Sequence, residues 1–62
     1  MNNAKMLDKI NESDTKRFVT MSYDKAELAR LANFLRAHNF KCVIESSVYG
    51  GIQMHRITIT KP

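Results

Sequence analysis

The segment "KCVIESSVYGGIQMHRITITK" constrains this chain more than any other. Two runs rich in β-branched residues flank a Gly-Gly pair, the pattern of a two-residue hairpin whose turn needs left-handed backbone. Folding the segment about Gly50 and Gly51 sets Ile44 opposite Ile57, Cys42 opposite Ile59 and Glu45 opposite Arg56. Apolar, charged and turn chemistry thus agree on one register, with strands expected over Lys41–Val48 and Ile52–Lys61. The register also makes the hairpin apolar on opposite faces at its two ends. Cys42, Ile44, Ile57 and Ile59 share one face near the base, whereas Tyr49, Ile52 and Met54 fall on the other near the tip.

Something must lie on the base of the hairpin, and "DKAELARLANFLRAHN" supplies it. Leu28, Leu31, Ala32 and Leu35 recur at helical spacing, with Phe34 on the shoulder. Asp24 followed by Glu27 reads as a capping box, and Asn39 before Phe40 reads as a left-handed helix ending. The spacing predicts a helix from Lys25 to about His38. Before it, "RFVTMSY" has the composition of a strand, and "NAKMLDKINES" that of a short helix with Met6, Leu7 and Ile10 on one stripe.

The expected fold is therefore α+β: an N-terminal short helix followed by a βαββ core, with one long helix packed on one face of a three-stranded sheet. A right-handed crossover would make the first two strands parallel and leave the third to lie antiparallel between them, in spatial order 1-3-2. The β-branched "ITIT" suits that central place; order 1-2-3 is the competitor. Residues 1–62 form one domain, with the helix and loop over 1–15 and the core over 16–62. Val19 and Met21 are expected on the inner face and Phe18 on the outer one. The outward apolar tip then has three explanations: the first helix covers it, a bulge near His55-Arg56 returns Met54 to the core, or it is an interface.

Sixty-two residues with a single cysteine leave no intrachain disulfide and no four-ligand zinc set. A chain of this size buries only about 60% of its unfolded surface, which makes homodimerisation an option. No apolar run approaches a signal sequence or a membrane span, so a soluble, cytoplasmic protein without membrane contact is expected.

The net charge of +4 is unevenly spread. Residues 1–27 carry five bases and five acids, whereas residues 28–62 carry five bases against Glu45 alone. In the expected topology Lys16, Arg17, Arg36, Lys41 and Lys61, with His38 beside them, converge on one end from separate parts of the chain. Such a cluster suits nucleic-acid phosphates, with salt-sensitive affinity, and equally suits solvated strand ends and a helix dipole. Phe18 and the tyrosines Tyr23 and Tyr49 are weak candidates for base stacking. The alternative is a small inhibitor or adaptor that docks a larger protein through Phe18, Tyr49, Ile52, Met54 and Arg56.

No phosphate loop, nucleotide fingerprint, metal-ligand set or cofactor motif is present. A Ser46–His55 cross-strand contact is conceivable, but no carboxylate is placed to orient the imidazole, and Cys42 opposite Ile59 reads as a buried thiol. The sequence thus points to a non-catalytic binding or regulatory protein, with nucleic acid slightly ahead of a protein partner.

Overall fold

A computed structural model describes residues 2–62. The element order is α1 (Asn3–Glu12), β1 (Arg17–Ser22), α2 (Lys25–Arg36), β2 (Lys41–Tyr49) and β3 (Ile52–Thr60). The three strands form one sheet in the order β1-β3-β2, with β3 antiparallel to both neighbours. This is the α+β architecture with the 1-3-2 order that the sequence predicts.

The register of the hairpin is the expected one. It runs without interruption from Lys41 opposite Thr60, through Cys42 opposite Ile59 and Glu45 opposite Arg56, to Tyr49 opposite Ile52. Gly50 and Gly51 take φ of 57° and 82°, the paired left-handed conformations of a type I′ turn. No bulge intervenes, so Met54 stays on the outer face.

α2 also begins and ends as its sequence dictates. The Asp24 carboxylate accepts from the Ala26 N–H at 3.0 Å and the Glu27 N–H at 3.4 Å, while the Asp24 N–H donates to Ser22 Oγ. At the other end Asn39 has φ of 70°. The Phe40 N–H donates to the Leu35 carbonyl and the Asn39 N–H to that of Arg36, the bond pair of a Schellman ending. Phe40 is thereby turned back into the core beside Leu35. The regular helix closes at Arg36, with the last residues before Asn39 wound as a turn rather than a further helical coil.

The core lies between the helices and one face of the sheet. Leu28, Leu31, Ala32 and Leu35 of α2 meet Cys42, Ile57 and Ile59 of the strands. Two expectations are overturned here. Phe18 lies on this covered face and packs against the core, while Val19 and Met21 point to the outer face and are exposed. The cause is the β1–β3 register: Phe18 stands opposite Ile59, and the ladder continues through the Lys61 N–H bond to the Lys16 carbonyl at 2.8 Å. Opposed residues in an antiparallel pair share a face, so the inward Ile59 commits Phe18 inward.

Of the three explanations for the outward apolar tip, cover by the first helix is excluded as well, because α1 does not lie on the outer face. Ile10 is completely buried in the same core as Leu28 and Leu31, and Met6 and Leu7 pack against that core. Asn2 caps the helix by accepting from the Lys5 N–H at 3.1 Å, and the Lys61 ammonium donates to the Ser13 carbonyl just beyond its end. Both helices therefore sit on one side of the sheet.

Two substitutions test these points by urea denaturation. Gly51→Ala forces a left-handed alanine and should cost about 1 kcal/mol, whereas Gly50→Asn, a residue that tolerates this conformation, should be nearly neutral. Ile10→Ala should cost about 3 kcal/mol, as expected of a core position; a cost below about 0.5 kcal/mol would place α1 outside the core.

Candidate interaction face

The parity of the sheet sorts the strand residues into rows. On the covered side Phe18, Ile59 and Cys42 form one row, Thr20, Ile57 and Ile44 the next, and Ser22, His55 and Ser46 the third. On the outer side the corresponding rows are Arg17-Thr60-Lys41, Val19-Thr58-Val43 and Met21-Arg56-Glu45. Beyond the end of β1 the hairpin alone continues, with Ser47 opposite Met54 and Tyr49 opposite Ile52 at the tip. Neither helix crosses this outer side. Val19 is 55% exposed and Ile52 57% exposed, and Met21, Val43 and Tyr49 are exposed as well. The first three outer rows, Met21 excepted, line an open groove of about 520 Å³.

The chemistry of the face changes along the strands. Its first row presents two cations flanking a threonine hydroxyl. The second is mainly apolar. In the third, Arg56 is held by Glu45 across the strand pair at 3.2 Å, in an exposed ion pair worth well under about 1 kcal/mol. From there to the tip the face is mainly apolar, through Met54, Ile52 and Tyr49, with Ser47 beside Met54.

The five bases proposed from sequence do not all reach this surface. Arg17 and Lys41 do, in one row, and Lys16 is exposed immediately before β1. Arg36 instead donates from Nη2 to the Cys42 carbonyl at 2.8 Å, tying the end of α2 to β2. Lys61 donates to the Ser13 carbonyl and lies 5.8 Å from the centre of the Phe18 ring on the covered side. Of the residues proposed for a protein partner, Tyr49, Ile52, Met54 and Arg56 share the outer face and Phe18 does not. The sequence reading missed Val19, Met21, Val43, Thr58 and Thr60. Val43 and both threonines were readable from the hairpin register, since alternate residues from Tyr49 and Ile52 share their face; Val19 and Met21 required the parity of β1.

The aromatic side chains are dispersed. Phe18 is covered, Tyr23 lies in the turn before α2, Phe34 and His38 meet as tilted rings with centroids 4.9 Å apart, Phe40 is buried in the core, and Tyr49 is at the tip.

On the covered side His55 is 6% exposed, and its Nδ1 lies 2.6 Å from Ser46 Oγ. The third member of their row is Ser22, so no carboxylate from the sheet faces the imidazole. The contact satisfies a buried polar side chain. Cys42 is a free, buried thiol whose pKa is raised by burial, an effect that the nearby Arg36 guanidinium partly opposes. Among the described residues no group of three or more His, Cys, Asp or Glu side chains could hold a metal ion, and no helix is long and apolar enough to cross a membrane. A second, smaller cleft of about 330 Å³ lies between α1 and the end of α2, beside Leu7, His38, Phe40 and Lys61. No family model, curated protein or solved structure matches the chain.

The raised Cys42 pKa has a definite sign in stability. The folded state holds the thiol proton more tightly than the unfolded chain, so this contribution is intact below the unfolded pKa and is lost as pH rises through the folded one. Above roughly pH 9 the native chain should lose stability faster than Cys42→Ala. Parallel urea titrations across that range check this; identical pH slopes would mean that the thiol does not titrate differently on folding.

Proposed function

We propose that the chain is a small non-catalytic binding protein that docks a larger protein through the outer face of its sheet. The observation that carries this reading is the exposure of Val19, Met21, Val43, Ile52 and Tyr49, with the half-buried Met54 on the same face, on a sheet whose opposite side holds both helices. Exposed apolar patches rimmed by polar residues favour protein interfaces. The composition fits too: methionine, tyrosine and arginine are present and Lys41 is the single lysine, matching the usual enrichment and depletion at protein contacts.

Nucleic acid, the partner that the basic end suggested, is less well supported. Arg36 and Lys61 are engaged with backbone carbonyls, Arg56 with Glu45, and Tyr49 is the sole aromatic side chain on the face. A second copy is also disfavoured. The face carries three cations and one carboxylate, so two copies would bring like charge together. The partner is accordingly an apolar surface edged with carboxylates. The buried, reduced Cys42 is compatible with the cytoplasm.

Photo-crosslinking side chains placed at Val43 and Ile52, with Glu12 and Arg30 as exposed positions on the helices, test the proposal in cells that produce the protein. The outer-face positions should capture one discrete protein, insensitive to nuclease, which the helix positions do not. Ile52→Ser should abolish capture from Val43 while changing stability by less than about 1 kcal/mol. Capture that depends on nucleic acid, or of a second copy alone, would overturn the reading.

A further inference from the structure

We propose that Arg17, Thr60 and Lys41 form an oxyanion site at one end of the outer groove, and that it takes a single carboxylate of the docked protein. The proposal rests on the reading of this face as a protein-docking surface, but the site can be tested without the partner.

The geometry follows from the register. Arg17 and Lys41 both stand opposite Thr60, on either side of it. With strands about 4.8 Å apart, their Cα atoms are roughly 10 Å from each other, well within the reach of the two side chains towards a common point above the threonine. The Thr60 hydroxyl lies between them and offers a third donor. Among the described residues neither cation makes an ion pair. The carboxylate on the same face, Glu45, is two rows along the strand, about 13 Å away, and is already bound to Arg56. That distance exceeds the screening length of about 8 Å at physiological salt, so Glu45 does little to neutralise the pair. An anion seated over Thr60 would relieve the mutual repulsion of both cations and accept charge-assisted hydrogen bonds.

The surroundings favour a carboxylate over a phosphodiester chain. The adjoining row, Val19-Thr58-Val43, is largely apolar and suits the hydrocarbon part of an acidic side chain or of its neighbour. A nucleic-acid backbone presents charge at every nucleotide and would meet no free cation in the next two rows, and then Glu45. Along the outer face the site thus accommodates one isolated anion, with no free cation in the two rows that follow it.

Isovalerate, a branched carboxylate, and dimethyl phosphate are the probes, titrated separately into the isotopically labelled native protein at constant ionic strength and followed by amide chemical shifts. Isovalerate should give saturable shifts centred on Arg17, Thr60 and Lys41. The double variant R17Q/K41Q, altered only at exposed positions, should bind it about tenfold more weakly and retain its far-ultraviolet dichroism. Shifts spread over all basic residues, or unchanged in R17Q/K41Q, would overturn the site. Tighter binding of dimethyl phosphate at the same residues would overturn the assignment to a carboxylate. Protein capture from Val43 that persists undiminished in R17Q/K41Q would remove the site from the interface while leaving the docking face standing. Saturable isovalerate binding without protein capture would instead overturn the docking reading alone.

Discussion

β3 is hydrogen-bonded along both edges, and its parity decides everything placed on the sheet. Ile57 and Ile59 are fully buried beneath Leu28, Leu31 and Leu35. Exposing either would forfeit about 1.5–3 kcal/mol of apolar burial, a large fraction of what so small a domain has in hand. A one-residue slip would expose both at once. Because β1 and β2 each read their register from β3, the same two isoleucines turn Phe18 and Cys42 inward and Arg17, Thr60 and Lys41 outward. The candidate interface is thus the reverse side of the core, set by the same constraint.

This coupling explains which parts of the architecture were legible in the sequence. The hairpin was, because three kinds of information coincide there: the Gly-Gly turn, the pairing of apolar residues near the base, and Glu45 opposite Arg56. α2 was, because Asp24 and Asn39 mark its ends by backbone chemistry that needs no tertiary context. β1 was not. In "RFVTMS" both parities carry apolar residues, Phe18 on one and Val19 with Met21 on the other, so alternation alone cannot choose a face. The choice came from a partner strand far away in sequence. α1 presents the same difficulty in another form. Met6, Leu7 and Ile10 declare an apolar stripe but carry no address, and either side of the sheet offers apolar surface to receive it.

The candidate site was legible to a similar degree and for similar reasons. Tyr49, Ile52 and Met54 were assigned outward from the hairpin alone, and they lie there. The basic cluster dissolved in part because topology brings residues to one end of a fold without fixing the direction of their side chains. A long basic side chain near an unpaired carbonyl is drawn to it, since a buried acceptor left unsatisfied costs about 1–3 kcal/mol. Arg36 and Lys61 each found such a carbonyl.

The Arg36 contact matters beyond charge accounting. In an antiparallel ladder successive residues direct their backbone groups alternately to the two neighbours. The Lys61–Lys16 bond and the continuous register place the backbone groups of β2 residues 42, 44, 46 and 48 on its free edge. Unpaired edges invite indiscriminate strand pairing. The Arg36 guanidinium occupies the Cys42 carbonyl, the first of these groups, and so blocks the end of the edge nearest the core. The exposed charges of Lys41 and Glu45 discourage stacking along the remainder. The chain guards the end of its β2 edge with an arginine that sequence alone would assign to a ligand, and both helices leave the broad outer face of the sheet uncovered.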